Sequence, residues 1–223
     1  MKLAHYKLDK VFEFEDFPVY EWVIESETLF LEYVQELYGQ SKGGEGAFIL
    51  SEIDKELNFE KNVEMVMSLL ELDCNDKKIL TRLYTQLEEI AIGEKMYERT
   101  QSFFKEMQNY MLQLDQESEY ILDISYDIDV FNFLKSMKVK LEIVGETFLE
   151  KVVMYIKLVY NLFKKKLVIF INLRSYLTKE ELQQLLEVAK YLGIFILLVE
   201  NCQKSLIKSN GLCIIDIDGC EIY

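Results

Sequence analysis

Apolar runs of strand length enclose a stretch of helical periodicity in the second half of the chain. Leu167–Ile171 is a continuous apolar run, typical of a strand buried on both faces in a parallel sheet. Thr178 and Glu181 have the spacing of a capping box, which predicts that a helix begins here. Gly193 suits a left-handed cap at the end of that helix, and Ile194–Val199 predicts the next buried strand. Since a right-handed crossover is the common way to join such strands, the pattern predicts a βαβ unit and an α/β fold.

The beginning of the chain predicts a more mixed set of elements. Short apolar runs at Lys2–Lys7, Val11–Phe14 and Val19–Ile24 favour a small β-structure. Ser26 precedes apolar residues at helical spacing, which predicts a helix that ends near Gly39.

Between Asp76 and about Leu114 the chain becomes highly charged, with apolar residues three and four positions apart. The apolar stripe includes Ile79, Leu80, Leu83, Leu87 and Ile90, and continues through Met96, Phe103, Met107 and Met111. Two long antiparallel helices are the simplest structure with this pattern. Two further helices are predicted, from about Asp127 to Ser136 and from about Glu146 to Phe163.

These patterns divide the chain into a parallel-sheet head and an extended α-helical leg. We expect the α/β head to comprise residues 1–75 and 138–223, and the leg to comprise residues 76–137. A chain of 223 residues can bury a full core in one domain with a helical lobe appended to it. Pro18 is the only proline and glycines are few, so a long flexible linker is not predicted.

A sheet of this kind raises the question of nucleotide hydrolysis. The glycine-rich loop Gly43–Gly46 lacks the Gly-Lys-Ser/Thr ending that would hold phosphates and magnesium. Asn172 follows the Leu167–Ile171 run where such enzymes place a metal-supporting Asp, and a neutral amide is a poor magnesium ligand. His5 is the only histidine, which argues against a histidine metal site or a His-based triad. The motifs therefore predict no catalytic residues and no bound nucleotide.

Several segments resemble, in their order and spacing, the Csn-two family of CRISPR-associated adaptation proteins from type II-A loci. The segments that carry the resemblance are the turn Leu72–Asn75, residues 134–136, 139–142 and 146–151, the basic triplet 164–166, the apolar strand with Asn172, the sequence Leu-Thr-Lys-Glu-Glu at 177–181 with its amphipathic helix, and the strand that ends in Glu200. The resemblance covers the chain from about Leu72 to Glu200.

The resemblance implies a head similar to a degenerate P-loop NTPase fold, without enzyme activity. It further implies a homotetrameric ring that binds the ends of double-stranded DNA without sequence preference during the acquisition of CRISPR spacers. The implied partners are the integrase and the RNA-guided effector of the same locus. Apolar stripes on the leg, which one copy cannot easily cover alone, also favour assembly. A protein-interaction scaffold without DNA affinity and a metal-dependent nuclease are the alternatives.

Net charge is the main objection to DNA binding, because a chain of net charge −14 repels DNA unless its basic residues are segregated on one surface. The candidate DNA-binding residues are the helical pairs Lys78 with Arg82 and Lys95 with Arg99, and the triplet Lys164, Lys165 and Lys166. A ring would bring several copies of the helical pairs to one opening. A solvated helix face with interleaved acids, and a solvated turn for the triplet, are the alternatives.

The segment from Asp115 to Asp129 is dense in carboxylates. In the family the corresponding acids bind calcium, an ion that takes hard oxygen ligands. The resemblance therefore implies a structural Ca²⁺ site, with Glu117, Glu119, Asp123, Asp127 and Asp129 as its candidate ligands. The segment is not an EF-hand, and a solvated acidic linker is the alternative.

The four cysteines show no CxxC spacing, and no signal peptide or long apolar span is visible. We therefore expect a cytoplasmic protein without a membrane segment. Cys74 and Cys213 have apolar neighbours in the sequence, which predicts buried thiols.

Overall fold

The computed structural model describes residues 1–15, 18–53, 55–125, 129–143, 145, 147–204 and 211–222. The chain divides into two compact units. The first unit consists of Met1–Asp73 and Val144–Tyr223, and the second of Cys74–Ile143. In the described parts of both units, no helix is long and apolar enough to cross a lipid bilayer.

All strands of the described chain belong to the first unit. They are β1 (Lys2–His5), β2 (Phe12–Glu13), β3 (Val19–Ile24), β4 (Phe48–Glu52), β5 (Lys55–Glu56), β6 (Val63–Val66), β7 (Leu167–Ile171), β8 (Phe195–Glu200), β9 (Gly211–Ile215) and β10 (Glu221–Ile222). Helices α1 (Glu27–Ser41) and α2 (Phe59–Asn62) precede the second unit, which contains α3 (Lys77–Ala91), α4 (Tyr97–Glu117) and α5 (Val130–Ser136). Helix α6 (Phe148–Phe163), a 3₁₀ turn (Leu173–Ser175) and α7 (Lys179–Leu192) complete the first unit.

A six-stranded sheet with the order β10-β9-β3-β8-β7-β6 forms the centre of the first unit. Its strands β9, β3, β8, β7 and β6 are parallel, and β10 pairs antiparallel with β9 at one edge. In the order of the chain, the parallel strands lie as fifth, first, fourth, third and second. The predicted α/β fold with a parallel sheet is therefore confirmed.

Both faces of this sheet are covered. Tyr20, Trp22 and Ile24 of β3 share a hydrophobic core with Tyr33 and Leu37 of α1. The small antiparallel sheet β2-β1-β4-β5 contributes Leu3, Phe12, Phe48 and Leu50 to the same core. Helices α6 and α7 pack against each other, and α7 contacts β8. Burial on two sides explains why β7 and β8 read as continuous apolar runs rather than alternating ones.

Capping boxes mark the beginnings of α6 and α7. The capping box predicted at Thr178 is confirmed, since Thr178 Oγ1 accepts from Glu181 N at 3.2 Å and Glu181 Oε2 accepts from Thr178 N at 2.8 Å. Thr147 and Glu150 form a second capping box at the start of α6, which was not predicted from the sequence. Gly193 has φ 71° and ends α7 in the predicted left-handed conformation.

One strand was grouped wrongly from the sequence, and two of the parallel strands were not predicted. Val19–Ile24 does not belong to a small β-structure with the two earlier runs, because it is the buried parallel strand β3. Its six residues are all buried, whereas β1 has an exposed and a partly exposed position, and this difference separates a central strand from a peripheral one. The two parallel strands that were not predicted are β6, which contains Glu64, and β9, which begins with Gly211.

A substitution at Thr178 tests whether the capping box stabilises α7. Thr178→Ala should lower the free energy of unfolding by about 1 kcal/mol, because it leaves backbone N–H groups of α7 without their acceptor. Ser26→Ala is the matched control, since Ser26 occupies the N-cap of α1 but makes no side-chain capping hydrogen bond. Urea unfolding of both variants measures the difference. An equal loss of unfolding free energy in the two variants would contradict a stabilising role for the Thr178 capping box.

Candidate functional site

The carboxyl ends of β3 and β8 are the expected position of a ligand site in this sheet. In open α/β sheets, ligands bind outside the carboxyl ends of neighbouring strands whose connections diverge. The next parallel strand after β3 is β6, at the far edge of the sheet, whereas the next after β8 is β9, on the other side of β3. The connections from β3 and β8 therefore diverge at this point.

The loop between β3 and α1 has no phosphate-binding chemistry. It consists of Glu25 and Ser26, and Glu27 begins the helix, so it offers two carboxylates and neither glycine nor lysine. Carboxylates at this position repel phosphate groups, and the absence of glycine restricts close approach of a ligand to the backbone. Gly43–Gly46, the loop considered from the sequence, instead follows the end of α1. The loop to examine for phosphate binding is therefore the one between β3 and α1, not the glycine-rich loop.

Buried charged residues occupy the carboxyl edge. The Arg174 guanidinium donates from Nη1 to Glu21 Oε1, and the Arg174 backbone N–H donates to Glu200 Oε1 at 3.0 Å. All three residues are buried. Glu21 pairs in register with Leu198, and Val23 pairs with Glu200, so the two acids lie on the same face of the sheet. Arg174 therefore extends from the turn after β7 onto the face of the sheet that carries Glu21 and Glu200.

Two further side chains tie the loops at this edge together. Asn172 has φ 55°, donates its backbone N–H to Val199 O at 2.9 Å and accepts from Asn201 N with Oδ1 at 3.2 Å. Lys204 Nζ donates to Ser175 Oγ at 3.2 Å. The amide of Asn172 thus connects the ends of β7 and β8, which is a structural role at the position where a hydrolase would place a metal-supporting acid.

Glu200 has the most perturbed carboxyl group of this edge. It is completely buried, and burial raises its pKa from 4.5 to about 7, with the nearby Glu21 carboxylate acting in the same direction. Within the described chain, its Oε2 has no hydrogen-bond partner. The Glu200 carboxyl group therefore keeps its proton to a higher pH than an exposed glutamate does.

The basic triplet at 164–166 does not form one surface. Lys165 is buried, and its Nζ donates to the backbone oxygens of Glu60 and Val63. Lys166 pairs with Glu52. Lys164 is exposed and ends α6 in a left-handed conformation. The buried position of Lys165 removes it from the set of surface cations that could contact a phosphate, and this corrects the sequence-based grouping.

The other basic candidates all lie on the surface of the second unit. Lys78 and Arg82 are exposed on α3. Lys95 is exposed between α3 and α4, and Arg99 is exposed in the first turn of α4. One unit of the structure therefore presents both helical pairs to solvent.

The acidic candidates do not converge in the described part of the chain. Glu117 ends α4, and Glu119 and Asp123 are exposed on the segment that follows it. Asp129 caps α5 by accepting from Asn132 N and Nδ2. Asp127 lies outside the described residues. No three His, Cys, Asp or Glu side chains are grouped around a common metal position in the described chain, so the calcium site stays a prediction.

An apolar cleft of about 530 Å³ lies among α3, α4 and α5. Its lining residues are Leu87, Ile90, Ala91, Met96, Arg99, Thr100, Phe103, Phe104, Val130, Phe133 and Leu134. The cleft was not predicted from the sequence, because its residues belong to the same apolar stripes that predict helix packing. The spacing of a stripe shows which face of a helix is apolar, but not whether that face is fully covered.

The chain matches one family model, that of the CRISPR-associated protein Cas_Csn2, over residues 40–218. No curated protein matches the sequence. The match extends well beyond both ends of the second unit, so it includes most of the parallel sheet.

Glu200 should make the protein less stable as the pH rises. Its folded-state pKa is raised, so the folded protein binds the extra proton between pH 4.5 and about 7. The stabilisation is complete below the unfolded pKa and is lost as the pH rises through the folded pKa. We expect the free energy of unfolding in urea to fall by about 2 kcal/mol between about pH 5.5 and about pH 8 from this group.

Glu200→Gln should flatten this profile, because the amide keeps an acceptor for Arg174 N–H but does not titrate. Glu180→Gln, at an exposed acid on α7, is the matched control and should keep the wild-type slope. A Glu200→Gln variant with an unchanged slope would show that other groups govern the pH dependence.

Proposed function

Because the chain belongs to the Cas_Csn2 family of CRISPR-associated proteins, we propose that it binds double-stranded DNA, as a non-catalytic homo-oligomer, during spacer acquisition. The family match over residues 40–218 is the observation that carries this proposal. The proposed assembly is a tetrameric ring that accepts DNA ends in the cytoplasm, beside the integrase and the RNA-guided effector of the locus.

The surface of the second unit supports the DNA-binding part of the proposal. Lys78, Arg82, Lys95 and Arg99 are exposed there, and cations on helices contact phosphates without reading the bases. The net charge of −14 opposes binding, so affinity must come from the local arrangement of cations. An oligomer carries these exposed cations once in each copy, so the number of possible phosphate contacts rises with the number of copies. Lys164 remains a further exposed candidate in the first unit.

The carboxyl edge of the sheet supports a non-catalytic role. Arg174 pairs with Glu21 beside this edge, and the loop before α1 carries carboxylates where a phosphate would lie. An ion pair that is buried and hydrogen-bonded is costly to open, because each charge would lose its partner in a low-dielectric environment. We therefore propose that the protein acts by holding DNA, while other proteins of the locus perform the chemistry.

Calcium binding is a proposal that rests on the family resemblance and on the density of carboxylates after α4. Glu117, Glu119 and Asp123 are exposed within a few residues of one another, and like charges at this density repel each other unless they are solvated or bridged. A hard divalent ion relieves such repulsion. The described residues do not group into a site, so the proposal requires Asp127 or a rearrangement of this segment.

Charge reversal in the second unit tests DNA binding. The combined variant Lys78→Glu, Arg82→Glu and Lys95→Glu should weaken binding of linear duplex DNA at least tenfold, because the protein neutralises fewer phosphates and its new carboxylates repel the duplex. The salt slope of log K should become shallower by about 0.9 for each phosphate that the variant no longer neutralises. Fluorescence anisotropy with a linear duplex, together with retention of linear and closed circular DNA, measures both effects.

A matched control separates local contacts from net charge. Lys61→Glu, Lys157→Glu and Lys190→Glu change three exposed cations of the first unit by the same total charge. This variant should bind DNA close to the wild-type level. An equal loss of DNA affinity in both variants would show that net charge, rather than local contacts, causes the loss. Unchanged binding in both would place the DNA contacts elsewhere, with Lys164 as the next candidate. A wild type that binds no DNA would favour a scaffold, and DNA cleavage by the wild type would favour a nuclease.

Calcium should raise the melting temperature if the acidic segment binds it. At a hundredfold excess over the dissociation constant, a ligand stabilises the folded state by about 2.7 kcal/mol. Asp123→Ala with Asp127→Ala should remove the calcium-dependent part of the melting temperature, whereas Glu106→Ala, at an exposed acid within α4, should keep it. An identical wild-type melting curve in calcium and in chelator would identify a solvated acidic linker.

A further inference from the structure

The second unit leaves two apolar features uncovered by its own residues. One is the cleft among α3, α4 and α5. The other is the segment Glu119–Asp123, in which Tyr120 and Ile121 are 76% and 100% exposed. Three consecutive apolar residues in solvent are unusual for a monomer and mark a contact surface.

The cleft has a defined chemistry. Its volume of about 530 Å³ lies within the range of specific binding pockets. The hydroxyl of Thr100 donates to Ala91 O at 2.8 Å, so this polar group is already satisfied within the unit. Arg99 is the one charged residue among the described residues that line the cleft. A suitable occupant is therefore apolar, with a negative charge beside its apolar part.

The segment Glu119–Asp123 has this chemistry. Its sequence is Glu-Tyr-Ile-Leu-Asp, with one carboxylate on each side of three apolar residues. Two hydrogen bonds shape the segment: Tyr120 N donates to Ser118 Oγ at 3.1 Å, and Leu122 N donates to Asp115 Oδ1 at 2.9 Å. These bonds hold the backbone on both sides of Ile121 while its side chain stays in solvent. A preformed segment loses less conformational entropy when it binds.

We propose that, in the absence of calcium, Glu119–Asp123 of one copy occupies the apolar cleft of a second copy, with Arg99 facing the carboxylate of Asp123. The segment does not fill the cleft of its own chain, because Ile121 is fully exposed. The inference rests on the self-association proposed above and identifies the surfaces that meet. A second copy fits better than an unrelated partner because this chain itself carries the complementary charges.

The length of α4 allows each of two copies to place its Glu119–Asp123 segment in the cleft of the other. The helix has 21 residues and is about 31 Å long. Met96 and Thr100 of the cleft lie at its beginning, and Glu119 follows its end. When two α4 helices lie antiparallel, the beginning of each is beside the end of the other. A twofold axis then places each segment at the partner's cleft, so both clefts are filled by the same contact.

Exposed residues along α4 supply the side-by-side contact between the two helices. Phe103, Tyr110 and Leu114 are all more than 40% exposed. They are seven and four positions apart, so they lie on one stripe of the helix. The stripe connects the cleft at the beginning of α4 with the segment at its end. One continuous apolar surface therefore joins the two halves of the contact.

The mass of the protein in solution tests the contact, measured by light scattering with chelator present and without DNA, so that neither ligand bridges copies. We expect the wild type to have a mass of at least twice 26.5 kDa. Ile121→Asp should halve that mass or reduce it to the monomer, because it introduces a charge into the cleft. Ile217→Asp is the matched control, since Ile217 is 76% exposed in the first unit, and it should keep the wild-type mass.

A charge exchange tests the pairing itself. Arg99→Glu and Asp123→Arg should each raise the dissociation constant of the assembly at least fivefold, because each brings like charges together. The double variant should recover most of the affinity, since it restores opposite charges in reversed positions. A purely structural effect of either substitution would give additive losses instead.

The outcomes separate this inference from the proposed function. A wild type that is monomeric at micromolar concentration overturns both the proposed self-association and the contact described here. Normal assembly of the Ile121→Asp variant, or a double variant without recovery, overturns the contact and leaves DNA binding by an oligomer intact. Loss of assembly in Ile121→Asp, with recovery in the charge exchange, supports the inference.

Discussion

Burial of β3 on both of its faces is the constraint on which the first unit depends. All six residues of the strand are buried, and it pairs in parallel with β8 on one side and β9 on the other. The face that carries Trp22 requires an apolar layer, which α1 and the small antiparallel sheet provide. The opposite face carries Glu21 in the middle of the strand. A buried carboxylate there requires a cation, and the position of Arg174 follows from that requirement.

The ion pair connects the fold to its function. Arg174 reaches Glu21 from the turn after β7, and its backbone N–H reaches Glu200 at the end of β8. Arg174 thereby joins the carboxyl ends of β7 and β8 to the face of the sheet that carries Glu21. In the proposed non-catalytic function, the sheet supports the surfaces of the chain that contact partners. The surfaces proposed for partners, namely the exposed candidate cations of α3 and α4 and the apolar cleft, belong to the second unit.

Arg99 lies where two of these surfaces meet. It is an exposed cation of a predicted DNA-binding pair, and it also lines the apolar cleft. A residue that pairs with carboxylates of another copy is not available to a phosphate at the same time. Lys78, Arg82 and Lys95 lie outside the cleft lining, so the proposed contact between copies does not involve them. In the proposed assembly, self-association and DNA binding thus divide the cations of the second unit between them.

The sequence alone determined the features that depend on a few neighbouring residues. The capping box at Thr178, the left-handed Gly193 and the strand Leu167–Ile171 follow from local rules of hydrogen bonding, backbone conformation and burial, and so does the α/β class. The order of motifs also identified the family. Only the tertiary structure decided the rest, because packing brings together residues that are distant in the chain. Lys165 illustrates this, since a lysine in a basic triplet is buried by carbonyl groups about a hundred residues away.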